Sequence, residues 1–313
     1  SATVHFPIWH KEIEDIIVLK NNKGTEDNRV RKLDYSIQLS KLFYERFIDD
    51  EEITLFSPHE VPELYEAWGT PEFDELYEKT ERKTSVWKKK VSAQTLFFDL
   101  LKERAETGRI YIMNIDHCNT HSSFKDRVTM SNLCQEITLP TDPIQHIDGT
   151  GEIALCILSA INVGTIREVE ELGPLCDLAV RALDEIIDHQ KYPVKAAEVS
   201  TKARRSLGIG YIGLAHYLAK NKVQYSDKEA LKLVDELTEA FQFYLLKASN
   251  TLAEEKGKCD YFDRTKYSDG ILPIDTYKKE VDELVKTKFN YDWEWLRSKI
   301  KKHGLRHSTL SAQ

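Results

Sequence analysis

The chain has 313 residues, 41% of them hydrophobic and 31% charged, with a formal net charge of −8 at pH 7. That length holds one large α/β domain or two smaller ones, and the composition is that of a globular rather than a disordered chain. The negative balance argues against a general nucleic-acid binder, though not against binding of a single nucleotide, which needs only a few local donors. No apolar run approaches the roughly 18 residues of a membrane span, and Ser1-Ala2-Thr3-Val4-His5 has neither the basic start nor the apolar core of a secretory signal. Five cysteines are scattered without a C-x-x-C pair. An odd count in a chain of this length points to a reducing compartment, so the expected location is cytoplasmic and any disulfide is catalytic rather than structural.

In chain order, Ile16-Ile17-Val18-Leu19 reads as a buried strand ended by the turn Asn21-Asn22-Lys23-Gly24. Apolar residues recur at helical spacing from Leu33 to Phe47. Glu51 to Phe56 reads as a short strand or loop, and Val61 to Trp68 as a short helix after Pro58. Val86 to Ala105 reads as a long amphipathic helix ending near Gly108, with Lys88-Lys89-Lys90, Arg82 and Lys83 as a solvated helix face. Arg109 to Ile112 looks like a strand, and Asn114 to Ser131 a polar loop.

Cys134 to Leu139 and Glu152 to Ser159 read as extended segments around a turn-rich connection. Glu168 to His189 and Leu207 to Lys220 read as helices, with Cys176 in the apolar register of the first. Ser226-Asp227-Lys228-Glu229 has the form of a capping box opening a helix that runs to about Lys256 and stops at Gly257. Cys259, just past that stop, carries no evident role. Pro273 to Leu284 and Asp292 to His303 read as two closing helices. Few strands separated by long helical stretches imply an α/β fold with parallel pairing; periodicity alone does not imply a barrel.

The chemistry concentrates in Ser131-Asn132-Leu133-Cys134-Gln135-Glu136 and in Cys156, within Ile153-Ala154-Leu155-Cys156. On an extended segment, side chains at alternating positions share a face, so Asn132, Cys134 and Glu136 would present an amide, a thiol and a carboxylate to one small molecule. Cys156 follows Cys134 by 22 positions and precedes Ser159-Ala160-Ile161-Asn162. Further on, Trp293-Glu294-Trp295-Leu296 is followed, after seven residues, by Gly304-Leu305-Arg306-His307-Ser308-Thr309-Leu310-Ser311-Ala312.

This combination resembles the large (α) subunit of class I ribonucleotide reductase. Its active-site finger reads N-x-C-x-E, with a cysteine in a strand before an S-A-x-N stretch some two dozen residues later. The second block is similar to the signature that leads into that family's phosphate-binding loop. The resemblance runs along nearly the whole chain. It implies part of a ten-stranded α/β barrel carrying the finger loop, with residues 1–313 as one segment of a single catalytic barrel domain. The expected function is thiyl-radical reduction of ribonucleoside diphosphates to deoxyribonucleotides.

By that resemblance, Cys134 is the transient thiyl that abstracts the 3′-hydrogen, Glu136 the base for the 3′-OH proton, and Asn132 the amide that holds the ribose hydroxyls, with Ser131 beside them at the substrate. Cys156 is half of a redox dithiol whose partner the chain does not contain. No cofactor or metal is expected on this segment itself. The radical comes from a metal-containing small (β) subunit in an assembly of two α and two β subunits, and electrons come from thioredoxin or glutaredoxin. The family is allosteric, but most of its effector site, the paired tyrosines that carry the radical and the C-terminal cysteine pair lie outside what this sequence matches. The chain is therefore expected to be a piece of a split or intein-interrupted subunit, active with its flanking pieces. Two other readings stand beside this one: a thiyl-radical enzyme of the glycyl-radical type, and a decayed fragment that only associates with an intact reductase.

Two motifs are set aside. Gly208-Ile209-Gly210-Tyr211-Ile212-Gly213 matches G-x-G-x-x-G, but Lys202 to Ser206 before it is not a buried strand, so a dinucleotide fingerprint is not expected. The resemblance implies a packing helix there instead. His117-Cys118-Asn119-Thr120-His121 would place two histidines on one face only if helical; it reads as loop, so no metal site is expected.

Overall fold

A computed structural model describes residues 2–146, 150–277, 279–283 and 288–311. The contacts divide the chain into two units, Ser1–Ser122 with Arg127–Leu139, and Ser123–Asp126 with Pro140–Gln313.

The first unit is built on three parallel strands. They are β1 (Thr3–Pro7), β2 (Asp34–Leu39) and β5 (Ile110–Asn114), in the order β1-β2-β5. Phe6 pairs with Ile37 and Ile37 with Ile112, which fixes the register of the sheet. β2 is buried along nearly its whole length, as expected for the middle strand of a parallel sheet. Between β1 and β2 lies α1 (Ile13–Ile16), and between β2 and β5 come α2 (Lys41–Ile48), β3 (Glu52–Leu55), α3 (Pro62–Ala67), α4 (Phe73–Arg82), β4 (Lys89–Ser92) and α5 (Ala93–Thr107); α6 (Ile115–Thr120) follows β5 directly. β3 and β4 form a separate antiparallel pair. Trp9, Phe56, Trp68, Phe73 and Tyr77 make an aromatic core, with the Trp68 and Phe73 rings 4.5 Å apart edge to face. Ser40 caps α2 through the Phe43 N–H, and α5 ends on left-handed Gly108, φ 67°.

In the second unit β6 (Asp142–His146) and β7 (Thr150–Glu152) pair antiparallel. β8 (Ile157–Asn162), α7 (Leu172–His189), α8 (Lys195–Arg204), β9 (Leu207–Ile212), α9 (Leu214–Lys220), α10 (Lys228–Lys256), α11 (Pro273–Thr276) and α12 (Trp293–His303) follow. β8 and β9 are parallel, with Ile157 opposite Leu207 and Ile161 opposite Tyr211. One face of this pair packs on α7 and α10 through Ile161, Leu207, Ile209, Cys176, Val180, Leu245 and Leu246. Each such aliphatic side chain contributes about 1.5–3 kcal/mol on burial. The backbone N–H groups of Leu207 and Ile209 donate to the carbonyls of Thr309 and Leu310, so the signature segment lies along β9. Ala312 of that signature, and Leu284 of the expected helix from Pro273, lie outside the described residues.

The α/β class with parallel pairing, β3, α3, β5, α7, α10 and α12 appear where the sequence places them. Several local expectations are corrected. Ile16 to Leu19 is the end of a helix and a turn, because the Ile17 N–H bonds to the Ile13 carbonyl. Leu33 to Phe47 is a strand followed by a helix, since Ser40 caps a new helix in its middle. Lys89 and Lys90 sit on β4, and the long helix after them starts only at Ala93. Phe73–Arg82 and Lys195–Arg204, for which the sequence pattern gives no element, form helices α4 and α8. The box at Ser226 does not form: Asp227 is the N-cap, and its carboxylate accepts from the Gln224 N–H instead. The closing helix from Pro273 breaks after Thr276 into a 3₁₀ turn at Lys279–Glu283.

Residues Leu207 to Ile212 of the G-x-G-x-x-G stretch are strand β9, not a helix, and only the third glycine, Gly213 (φ 83°), caps α9. Two of the three glycines lie inside the strand, so the phosphate-cradling turn of a dinucleotide site is not formed.

Candidate functional site

The finger is a turn rather than a strand. The Gln135 N–H donates to the Asn132 carbonyl at 3.2 Å, and Gln135 takes a left-handed φ of 66°. The Asn132 side-chain oxygen accepts from the Ile137 N–H at 3.1 Å, while its backbone N–H donates to the Ile137 carbonyl at 3.2 Å. This corrects the extended reading of Cys134 to Leu139. The side chains do not alternate across a strand, because the chain reverses between Asn132 and Ile137, closed by Asn132 itself. Asn132, Cys134 and Glu136 are still brought together, on one five-residue turn, and all three are exposed. Ser131, half-buried before the turn, bonds through its hydroxyl to the Asn132 carbonyl.

An exposed turn needs a rigid base, and the first unit supplies one. The Thr3 hydroxyl donates to the Leu133 carbonyl at 2.6 Å, and His5 Nε2 accepts from the Ser131 N–H at 3.4 Å, so β1 holds the tip. Burial lowers the His5 pKa, which keeps the ring neutral and able to accept, although the bond to Ser131 opposes the shift. Gln38, buried on β2, donates to the Thr129 carbonyl at 2.7 Å and accepts from Trp68 Nε1 at 2.7 Å. Asn119 on α6 clamps both backbone groups of Val128: its Oδ1 accepts from the N–H at 2.8 Å and its Nδ2 donates to the carbonyl at 3.1 Å. Arg127 donates to the carbonyls of Tyr65 and Trp68.

None of these supporting residues is evident from the sequence. Asn119 lies inside the His117–His121 stretch, which corrects to a helix, so that the two imidazoles do share a face, with ring centres 5.4 Å apart. Among the described residues no three His, Cys, Asp or Glu side chains converge as metal ligands would. An open cavity of about 550 Å³ beside the finger is lined by Tyr111, Met113, Asn114, His117, Gln135 and Thr138, with none of Asn132, Cys134 or Glu136 in its wall.

Cys156 belongs to the second unit, half-buried immediately before β8. Its arm is anchored on both sides. On one side the buried Glu152 carboxylate accepts from Arg204 Nε at 2.6 Å and Nη2 at 3.0 Å, from the Ser200 hydroxyl at 3.1 Å and from Arg264 at 3.3 Å. Burial would raise the Glu152 pKa, but Arg204, Arg264 and Ser200 hold it below the ordinary value. On the other side the Ile157 N–H donates to the Ser206 carbonyl. Of the other thiols, Cys176 and Cys259 are buried in the core, and burial pushes both up to about 12. Burial likewise pushes the Cys118 thiol up to about 11.

A buried ionic and hydrogen-bonded array, which carries no local sequence signal, surrounds the signature segment. His307, fully buried, meets the Ser249 hydroxyl through Nδ1 at 2.9 Å and the Asp184 carboxylate through Nε2 at 3.2 Å. Asp184 also accepts from Arg205 at 2.6 Å and Arg306 at 3.3 Å. Burial opposes ionisation of Asp184, yet bonds from His307 and Arg205 hold its pKa well below the carboxylate range.

Parallel strands, a stitched finger with an exposed thiol between an amide and a carboxylate, and a second half-buried cysteine at the head of a parallel strand define a thiol-bearing α/β protein. The chain belongs to the ribonucleotide reductase barrel-domain family, whose sequence model matches residues 1–313. It is 57% identical over 318 residues to the ribonucleoside-diphosphate reductase subunit alpha of Haemophilus influenzae, covering all of this chain and 42% of that protein. It is 53% identical to ribonucleoside-diphosphate reductase 1 subunit alpha of Escherichia coli, and 44% identical to the subunit alpha of Enterobacteria phage T4, with the same coverage. The chain thus spans 42% of the length of these relatives. No described helix is long and apolar enough to cross a membrane.

Proposed function

We propose that this chain is the catalytic core segment of a ribonucleoside-diphosphate reductase α subunit, acting together with the remaining length that its relatives carry. The observation that supports this most is the finger itself: a single exposed thiol held between an amide and a carboxylate on a turn stitched to β1, β2 and α6. The substrate is a ribonucleoside diphosphate, as the relatives' names indicate for those proteins.

Cys134, as a thiyl radical, takes the 3′-hydrogen of the ribose. Sulfur suits this step because S–H and ribose C–H bonds are close enough in strength for reversible transfer. Glu136 accepts the 3′-OH proton as general base, and Asn132 with Ser131 orients the hydroxyls. Loss of the 2′-OH as water then becomes feasible, because the adjacent 3′-radical assists departure of that group. Cys156 and a second thiol outside this chain supply two electrons and two hydrogens. In the net reaction, ribonucleotide and two thiols become deoxyribonucleotide, disulfide and water, and Cys134 regains its radical when it returns the 3′-hydrogen.

The Asn132 side-chain oxygen already serves the turn, so its amide nitrogen is the group left to face a hydroxyl. The radical originates in a metal-containing small subunit, and thioredoxin or glutaredoxin re-reduces the disulfide. The proposed assembly pairs two α with two β subunits in the cytoplasm.

The test combines this chain with the remainder of the α subunit, a radical-bearing small subunit and dithiothreitol, and follows deoxynucleotide formation from a ribonucleoside diphosphate. Turnover that disappears with Cys134→Ala supports the proposal. Undiminished turnover in that variant rejects Cys134 as the radical residue, and no turnover from a verified assembly favours a non-catalytic associating fragment.

A further inference from the structure

We propose that Arg204 is the positioning residue for Cys156, acting through Glu152; this inference rests on the redox role proposed for Cys156. The four residues 153–156 join two fixed points, one on α8 and one just past its C-terminal end. At the first, Glu152 is bound by Arg204 and Ser200 of α8, and the Ile153 N–H donates to the Ala196 carbonyl of α8. At the second, the Ile157 N–H donates to the Ser206 carbonyl, two residues beyond the end of α8. The arm that ends in Cys156 is therefore splinted along α8, and the position of the thiol follows that of the splint.

Arg204 is the residue that makes the splint rigid. It is 2% exposed, and its guanidinium spends three donors on two carboxylates: Nε and Nη2 on Glu152, and Nη1 on Asp126 at 2.9 Å. Its guanidinium carbon also lies 5.1 Å from the centre of the Tyr261 ring, which Arg264 covers at 4.3 Å. Arg264 in turn bonds both Asp126 and Glu152. Two guanidinium groups, one aromatic ring and two carboxylates thus fix the end of β7 against α8. Nothing in this array requires an Arg for charge alone, since Arg264 remains nearby. What only a planar fork supplies is simultaneous, directed bonding to Glu152 and Asp126. A lysine keeps the charge and loses the second contact.

The role differs from general support of the fold because the finger belongs to the other unit and has its own anchors, Thr3, His5, Gln38 and Asn119. Loosening Arg204 should therefore leave the Cys134 step intact and impair the step that uses Cys156. A displacement near 1 Å at a reacting group costs on the order of a hundredfold in rate, so even a fraction of that shift is measurable.

The experiment uses the reconstituted reductase in a single turnover without external reductant, in wild type, Arg204→Lys, Glu152→Gln and Cys156→Ser. Two quantities are read: exchange of 3′-tritium from the substrate, which reports Cys134, and the yield of Cys156 in disulfide form by differential alkylation and mass spectrometry. Arg204→Lys should leave tritium exchange within about twofold of wild type while disulfide yield at matched time falls about tenfold or more. Glu152→Gln, isosteric and uncharged, should show the same split more mildly and guards against misfolding of the lysine variant. Equal losses in both readouts would mean a merely structural role, and no loss in either would mean no role; each overturns the inference alone. Full turnover in Cys156→Ser would instead overturn the redox reading of Cys156, and this inference with it.

Discussion

Asn119→Ala tests how the finger is held. Val128 is fully buried, and Asn119 satisfies both its N–H and its carbonyl, at 2.8 and 3.1 Å. Removing the amide strands one buried donor and one buried acceptor. Each unsatisfied buried group costs about 1–3 kcal/mol, so the local penalty at the root of the finger is about 2–4 kcal/mol once some rearrangement is allowed. The loss falls on opening of segment 127–139 rather than on the sheet, because β1, β2 and β5 keep their own ladders. Native-state hydrogen exchange reads it directly: at about 1.4 kcal/mol per factor of ten, protection of the Val128 amide should fall by about 30- to 1,000-fold. Amides in the middle of β2 should change far less. Asn119→Asp keeps the acceptor for the Val128 N–H but sets a carboxylate against the Val128 and Ile115 carbonyls, so it should not rescue protection. Val128 exchange within threefold of wild type in the alanine variant would refute the clamp.

Other outcomes follow from the same structure. Gly69 adopts φ 79°, and an added Cβ would sit 2.7 Å from Ile115 Cγ1 and 2.8 Å from Asn119 Nδ2, so Gly69→Ala should destabilise the first unit by about 2–3 kcal/mol in urea unfolding. Burial holds the His307 pKa below its ordinary value, against the pull of Asp184. The unfolded chain therefore takes up a proton that the folded chain refuses. The stability involved is fully present above about pH 6.5 and is lost as pH falls below it, by at most about 1.4 kcal/mol per pH unit for one such histidine. His307→Gln should flatten the urea-denaturation profile between pH 7 and 5, and an unchanged slope would contradict the buried neutral imidazole. At pH 8, iodoacetamide should label the exposed Cys134 in the native chain, and Cys176 and Cys259 only after unfolding.

The candidate site is legible in the sequence as a motif because it is local. Asn132, Cys134 and Glu136 lie within five residues, and their family pattern survives a wrong assignment of backbone shape. The backbone shape is not legible, because Asn132 has two uses: as a residue type it suggests substrate contact, while its side chain closes the turn with Ile137. Strand β9 is hidden in the sequence although Leu207, Ile209 and Tyr211 alternate, because Gly208 and Gly210 have poor strand propensity and match a helix-opening motif. Burial against α7 and α10 and pairing with β8 decide the matter, and neither is a local property. Gln38 reaching Thr129 and Arg204 reaching Glu152 and Asp126 span 91, 52 and 78 positions, distances over which a single sequence carries no pairing signal. Arg204 and Arg205 are adjacent yet serve separate networks, because Arg205 takes a left-handed φ of 49° at the end of α8.

The central claim, that Cys134 is the hydrogen-abstracting residue, is tested most directly with substrate carrying tritium at the 3′-position in the reconstituted reductase. Exchange of that label in wild type, retained in Cys156→Ser and abolished in both Cys134→Ala and Cys134→Ser, is the predicted result. Exchange that persists without the Cys134 sulfur would contradict it.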